Sequence, residues 1–174
     1  TADITTGFFN TAKNVTLTLA GDAASTFYTL NGNDPTTLST PYTGVAIGMN
    51  GGDGVAIVLK AISYDTLGNA GAILTETYTF DLTIPSISGV DDGAITNQDV
   101  TITFDGGISG ATAELDATPF VSGDTVSAQG LHTILVTDGA GNTASKSFTI
   151  DTTAPSAPTS TPAGGTYNAS QNVT

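Results

Sequence analysis

Apolar and polar residues alternate in short runs along most of this chain, which is the pattern of β-strands with one buried face. Residues 15–19 alternate valine or leucine with threonine, and residues 100–104 repeat the pattern. Residues 55–62 are apolar on both faces except at Lys60, which predicts a central strand. No segment requires a helix. The pattern therefore predicts an all-β chain.

Two five-residue segments share the sequence Asp-x-x-Gly-Asn, at residues 65–69 and 138–142. Each one lies between two predicted strands. Asp and Asn side chains bond to nearby backbone groups, and Gly and Asn accept positive φ. Both segments are therefore predicted to be turns of β-hairpin connections.

A second shared sequence, Asp-x-Thr-x-Pro, follows the strand after each turn, at residues 81–85 and 151–155. Proline restricts the backbone of both segments, as expected of stiff linkers. The spacing predicts two tandem β-sandwiches of Ig-like or fibronectin-III-like type. We call residues 1–84 module one and residues 85–154 module two.

A longer repeat is visible near the two ends, because residues 165–174 align without gaps on residues 7–16, at an offset of 158. Residues 155–174 are therefore expected to be the linker and opening strand of a third module in a longer tandem array. Two interpretations of this strand stay open. Residues 156–174 add to a sheet of a neighbouring chain by β-strand addition, or they are a truncated module.

The charge balance excludes several classes of function. The 174 residues carry 16 acidic side chains against 3 lysines, with no arginine, for a net charge of −13. Nucleic acids and anionic membranes require clustered basic residues, so neither is an expected partner. No apolar run reaches the length of a membrane-spanning helix, so membrane insertion is not expected.

Catalytic chemistry has few candidate residues. Cysteine is absent and there is one histidine, which leaves little for thiol or acid–base chemistry. Glu76 and Glu114 are the two glutamates, and they lie in different modules, whereas a glycosidase needs two carboxylates in one cleft. We therefore expect a non-catalytic protein.

Calcium is the candidate ligand, because hard cations bind several oxygens and loop Asp and Asn residues supply them. The candidate residues lie in turns and linkers near the module ends, where an ion would stiffen a joint: Asp65, Asn69, Asp81, Asp138, Asn142 and Asp151. Asp91 and Asp92 are expected to face the joint from the following module. The other interpretation is that these residues only close turns.

Other notable side chains have ordinary structural interpretations. Lys60 is expected at a sheet rim with its ammonium in solvent, the alternative being an amide cross-link to an asparagine. His132 is expected at the surface or at a strand edge. Tyr28 and Tyr42 are expected to pack in the core rather than to form a sugar-binding platform.

Several motifs of module one occur together in a known family. They are Asn-Val-Thr-Leu at residues 14–17, the tyrosine–threonine strand with its Asn-Gly-Asn-Asp-Pro turn at residues 27–35, residues 42–44, and residues 59–61 followed by the 65–69 turn. In these motifs residues 7–81 resemble the chitobiase/β-hexosaminidase C-terminal domain family, a fibronectin-III-like sandwich. Residues 85–154, which end in Phe-Thr-Ile-Asp, resemble a bacterial Ig-like repeat. No catalytic activity is common to the members of either family. The resemblance implies a secreted or surface multi-domain protein.

These observations together predict a non-catalytic structural segment of a large secreted or cell-surface tandem-repeat protein, such as an adhesin stalk or an extracellular filament. Its expected partners are neighbouring repeats or identical chains, and glycans are a further candidate. The alternative is a carbohydrate-binding or spacer module of a secreted polysaccharide-degrading enzyme.

Overall fold

The computed structural model describes residues 1–159, 165–166 and 169–170. Strands make up the regular structure of these residues, together with one short 3₁₀ turn at Gly107–Ser109. The all-β prediction is confirmed. No helix among the described residues is long and apolar enough to cross a bilayer. The predicted opening strand of a third module, and with it the proposed strand addition by residues 156–174, lies largely outside the described residues.

Module one is a β-sandwich built around one five-stranded sheet. A two-stranded sheet, β2–β5, packs against it, and the five-stranded sheet has the order β1-β7-β6-β3-β4. The strands are β1 (Gly7–Phe9), β2 (Lys13–Val15), β3 (Ser25–Thr29), β4 (Thr40–Pro41), β5 (Ile47–Met49), β6 (Ala56–Tyr64) and β7 (Leu74–Phe80).

Module two has the same plan with one additional strand pair. Its five-stranded sheet has the order β13-β12-β15-β16-β9, and two short sheets, β10–β14 and β8–β11, face it. The strands are β8 (Ser86–Ser88), β9 (Ala94–Thr96), β10 (Val100–Thr101), β11 (Thr103–Asp105), β12 (Ala111–Leu115), β13 (Thr118–Phe120), β14 (Thr125–Val126), β15 (Gly130–Asp138) and β16 (Thr143–Ile150).

The two modules therefore repeat one topology. In each, a short early strand pairs in parallel with the last strand, β1 with β7 and β9 with β16. In each, the last two strands are antiparallel neighbours at the centre of the large sheet, β6 with β7 and β15 with β16. The predicted central strand at residues 55–62 is confirmed as β6, which lies between β3 and β7.

Each module buries its own hydrophobic core. In module one the fully buried side chains include Val15, Met49, Leu59, Tyr78 and Phe80. The core of module two is a separate cluster whose fully buried members are Ile102, Ile134, Val136, Phe148 and Ile150. Because period-2 alternation places every second residue on one face, these residues share a parity along each strand.

Two sequence expectations are wrong in detail. Residues 100–104 are not one strand, because β10 pairs with β14 while β11 pairs with β8, and the chain changes partner at Ile102. His132 is not at the surface, since only 7% of the residue is exposed. It points inward from β15 with the same parity as Ile134 and Val136, and its ring lies 5.4 Å from the ring of Phe148.

Candidate functional site

The candidate site is the joint between the two modules, formed around residues 81–83 of the first linker. Module one holds this segment by its backbone and side chains. Asp81 N donates to Phe9 O at 3.1 Å. Asp53 Oδ1 accepts from Leu82 N at 2.6 Å, and Asp53 Oδ2 accepts from the Thr83 hydroxyl at 2.9 Å. These two donors, the Leu82 amide first, hold the pKa of Asp53 below its ordinary value.

Module two holds the same linker from the other side. Asn142 Nδ2 donates to Asp81 O at 2.8 Å and to Thr83 O at 3.3 Å. Ser109, in the 3₁₀ turn, donates its hydroxyl to Asp81 Oδ2 at 2.5 Å. Asp81 is 1% exposed, so its carboxylate is buried between the modules with a hydroxyl partner. The linker is thus bonded to both modules at once.

The turn of residues 138–142 positions Asn142 for this contact. Asp138 Oδ1 accepts from Ala140 N at 3.0 Å and from Asn142 N at 2.8 Å. Asp138 Oδ2 accepts from Asn142 Nδ2 at 2.8 Å, which fixes the amide plane. Gly141 has a φ of 90°, a backbone conformation that glycine adopts without cost. The second amide proton of Asn142 is thereby aimed at the linker.

Module one contains the same turn at residues 65–69, at the end of the module away from the joint. Asp65 Oδ1 accepts from Leu67 N at 2.9 Å and from Asn69 N at 2.8 Å. Asp65 Oδ2 accepts from Asn69 Nδ2 at 2.7 Å, and Gly68 has a φ of 85°. The Asn69 side-chain amide and then its backbone amide lower the pKa of Asp65. The predicted turns are confirmed, and they are copies of each other.

The second linker repeats the geometry of the first at the far end of module two. Asp151 N donates to Thr96 O at 2.8 Å, and Asp151 Oδ1 accepts from Thr153 N at 2.9 Å. Gln129 lies where Asp53 lies at the first linker, but it bonds two threonine hydroxyls rather than a backbone amide and a hydroxyl. Its Oε1 accepts from the Thr152 hydroxyl at 2.8 Å, and its Nε2 donates to the Thr153 hydroxyl at 2.5 Å.

The six candidate calcium ligands are only partly brought together. Asp81, Asp138 and Asn142 meet at the joint, whereas the other three, Asp65, Asn69 and Asp151, lie at opposite outer ends. In the described part of the chain, no group of three or more His, Cys, Asp or Glu side chains is placed to hold a metal ion. The Asp and Asn side chains do close the two turns, and calcium binding stays a prediction.

The expected neighbours of the joint are elsewhere. Asp92 Oδ1 accepts from Ser147 N at 2.7 Å, so it binds the middle of β16 rather than the linker. The other side chains singled out in the sequence lie away from the joint. Lys60 forms an ion pair with the exposed Asp34, with 2.7 Å between Nζ and Oδ1. Tyr28 and Tyr42 pack against the core of module one, as predicted.

Sequence reasoning missed Asp53, Ser109 and Gln129. Each contacts a linker that is far away along the chain, by 29 residues in the case of Asp53 and Leu82. No local motif marks Ser109. The one available signal was positional, since Asp53 lies shortly before β6 and Gln129 directly before β15, the long central strands of their modules.

Module one matches a known protein family. Residues 4–75 match the family model of the Chitobiase/beta-hexosaminidase C-terminal domain. The match runs from before β1 into the first residues of β7, so it covers nearly all of module one and confirms the resemblance for that module. The resemblance of residues 85–154 to a bacterial Ig-like repeat stays a prediction.

Solved structures to which the chain is similar include the Clostridium thermocellum CbhA fibronectin(III)-like modules, at 15% identity and a TM-score of 0.47, covering 86% of this chain and 93% of that one. Another is the Bacteroides ovatus mixed-linkage glucan utilization locus SGBP-B in complex with a mixed-linkage heptasaccharide, at 14% identity and a TM-score of 0.27. That match covers 84% of this chain and spans 42% of that one. No curated protein sequence matches the chain.

Proposed function

We propose that this chain is a non-catalytic structural segment of a secreted or cell-surface protein, in which β-sandwich modules are held at a fixed angle. The observation that carries the proposal is the double anchoring of residues 81–83. A linker bonded to one module alone leaves its neighbour free to swing, whereas this linker is bonded to both. A neutral hydrogen bond contributes about 0.5–1.5 kcal/mol net, so several acting together favour one orientation.

A fixed joint suits a stalk or a filament, whose task is to keep a distal element at a set distance. Neighbouring repeats or identical chains are its proposed partners. Carboxylates of module one accept hydrogen bonds that hold its strands and loops together, in keeping with this role. Glu76 Oε2, for example, accepts from the Thr6 amide at 2.6 Å and from the Thr6 hydroxyl at 2.7 Å, next to β1. The family match of module one supports a location outside the cell.

The stiffness of the joint is directly measurable. The chain has no cysteine, so spin labels can be placed on Leu38→Cys in module one and Leu131→Cys in module two, where the native residues are 96% and 70% exposed. Double electron–electron resonance is expected to give one narrow distance distribution. Asn142→Ala is expected to broaden it about twofold, because a released linker behaves as a flexible chain.

The matched control is Asn69→Ala, which damages the same kind of turn at a place that does not touch the joint. It is expected to leave the distribution narrow. A broad distribution in the unsubstituted chain, or equal broadening by both variants, would contradict a fixed joint.

The second candidate function is a carbohydrate-binding or spacer module of a polysaccharide-degrading enzyme. The family of module one favours it, since that family is named for the C-terminal domain of glycosidases. A glycan array with the full chain separates the two candidates. Binding to a defined oligosaccharide supports the enzyme-associated role, and an array without binding supports the structural one.

Calcium at the joint is tested by calorimetric melting in calcium and in chelator at equal ionic strength. Equal ionic strength is needed because a chain with a net charge of −13 gains stability from any cation through screening. A bound ion is expected to raise the melting midpoint beyond this screening effect, and Asp81→Asn is expected to remove the increment. Equal midpoints would end the calcium prediction.

A further inference from the structure

The joint has two halves, the linker of residues 81–83 and the turn of residues 138–142. Each half has a counterpart at an outer end of the two-module unit. The Asp65–Asn69 turn matches the turn that module two presents to the first linker. The segment of residues 151–153 matches that linker. We propose that the Asp65–Asn69 turn is a docking site for the Asp-Thr-Thr linker of another module two, bound as Asn142 binds the first linker. This inference rests on the proposed structural role and names the partner of the outer turn.

The docking atom on the turn side is Asn69 Nδ2. In the joint, Asn142 Nδ2 gives one proton to Asp138 and the other to linker carbonyls. Asn69 Nδ2 bonds to Asp65 at 2.7 Å with the same geometry. Within residues 1–159 its second proton has no acceptor, and the residue is exposed. The turn therefore presents a fixed donor without its linker.

The linker side is equally preformed. Thr96 O accepts from Asp151 N as Phe9 O accepts from Asp81 N. Gln129 holds residues 152 and 153 by their hydroxyls. Asp151 is exposed, whereas its counterpart Asp81 is buried by module two. The backbone carbonyls at 151 and 153 correspond to the two that accept from Asn142. Docking therefore needs little ordering of either partner, which lowers its entropic cost.

One contact differs between the two joints. Ser109 donates to Asp81, whereas in module one Asp22 lines a small cavity together with Asp65 and Asn69. An incoming Asp151 carboxylate would approach Asp22 instead of a hydroxyl. The two carboxylates repel, so this joint is weaker than the first, and the Asn69 contacts carry its specificity.

The 158-residue repeat in the sequence determines where a second copy of the chain must be joined for the test. Because residues 165–174 align on residues 7–16 at an offset of 158, a second copy of residues 1–158 joined directly after residue 158 preserves the natural spacing. Tethering makes docking intramolecular at an effective concentration of about millimolar, so a weak contact is observable. Spin labels are placed at Leu131→Cys in the first copy and Leu38→Cys in the second.

The tandem protein is expected to give a narrow distance distribution between these labels. Asn69→Ala in the second copy is expected to broaden it about twofold. Asn142→Ala in the first copy, which damages only the joint within that copy, is expected to leave it narrow. A distribution that is already broad, or one that Asn69→Ala leaves unchanged, overturns the docking site.

Asp22→Ser in the second copy reproduces the hydroxyl of Ser109 and completes the test. If the distance distribution is narrow only in the tandem protein with Asp22→Ser, the native turn does not dock the linker and the inference fails. Failure of the proposed function has a different signature, because it broadens the distribution between the two modules of the single chain. The two outcomes are therefore distinguishable.

Discussion

At the scale of single residues, His132 is the most informative position. Its Nδ1 lies 2.7 Å from Asp116 Oδ2, and its Nε2 lies 2.7 Å from Ala128 O. Both neighbours are acceptors, so these contacts favour the imidazolium, the form in which both ring nitrogens donate. The hydrogen bond with Asp116 raises the pKa of His132 against the effect of burial, and the same bond lowers the pKa of Asp116.

This pair makes module two pH-sensitive in a defined direction. A raised histidine pKa gives stability that is fully present below the ordinary value of about 6.5 and is lost as the pH rises through the raised value. The lowered carboxyl pKa gives stability that is present above the ordinary value of 3.8 and is lost as the pH falls through the lowered value. The free energy of unfolding of module two is therefore expected to fall above neutral pH, and urea titration between pH 5.5 and 8.5 measures it.

Asp116→Asn is the matched variant, because Asn tolerates the φ of 50° at this position. It is expected to cost about 1 kcal/mol at pH 6, less than is usual for a hydrogen bond between charged groups, because the carboxylate is half-exposed and solvent screens the pair. It should also flatten the pH dependence. As the chain has one histidine, a single NMR resonance reports its pKa. An unshifted pKa, or a pH profile that Asp116→Asn leaves unchanged, would exclude this mechanism.

At the scale of elements, local chemistry explains which predictions succeeded. The turns at residues 65–69 and 138–142 were predictable because their hydrogen bonds join residues at most four apart. His132 has the same parity as the buried Ile134, and this signal was available in the sequence although His132 was expected at the surface or at a strand edge. The change of partner at Ile102 was not predictable, because it depends on β8 and β14, which are distant in sequence.

The loop after β8 makes a sharp prediction about glycine. Gly89 and Gly93 both have positive φ, of 94° and 76°. A Cβ at Gly89 would overlap the Thr101 carbonyl, whereas a Cβ at Gly93 would meet open space. Gly93→Ala is therefore expected to cost about 1–2 kcal/mol from the backbone alone.

Gly89→Ala is expected to cost at least about 2 kcal/mol more than that, because the segment after β8 must move away from the Thr101 carbonyl at the end of β10. Urea unfolding of the two variants under one set of conditions gives the difference. Equal costs would mean that the backbone around Gly89 and Thr101 rearranges easily.

At the scale of the whole molecule, the sequence predicted two sandwiches but not how they are joined. The fold follows from alternation and turns, which are local. The joint depends on Asp53, Ser109 and Asn142, which come from three separate segments and meet only once both modules are folded. Of these, Asn142 was proposed from the sequence, but as a calcium ligand rather than as a donor to the linker.

Because the two cores share no residue, the modules are expected to unfold separately. The distribution of tyrosine makes this visible. Of the five tyrosines, four lie in module one and none lies in residues 85–154. Tyrosine fluorescence therefore follows module one, whereas circular dichroism follows both modules.

Leu59 and Ile134 are fully buried on the equivalent strands β6 and β15. Leu59→Ala is expected to destabilise module one by about 2–5 kcal/mol and to shift the fluorescence transition. Ile134→Ala is expected to shift only the circular dichroism transition. A small shift of module two in Leu59→Ala would measure the coupling that the joint provides, since unfolding of module one removes the linker from Asn142. A full and equal shift of both transitions by either variant would show that the two modules unfold as one cooperative unit. The fixed angle would then come from shared folding rather than from the linker contacts.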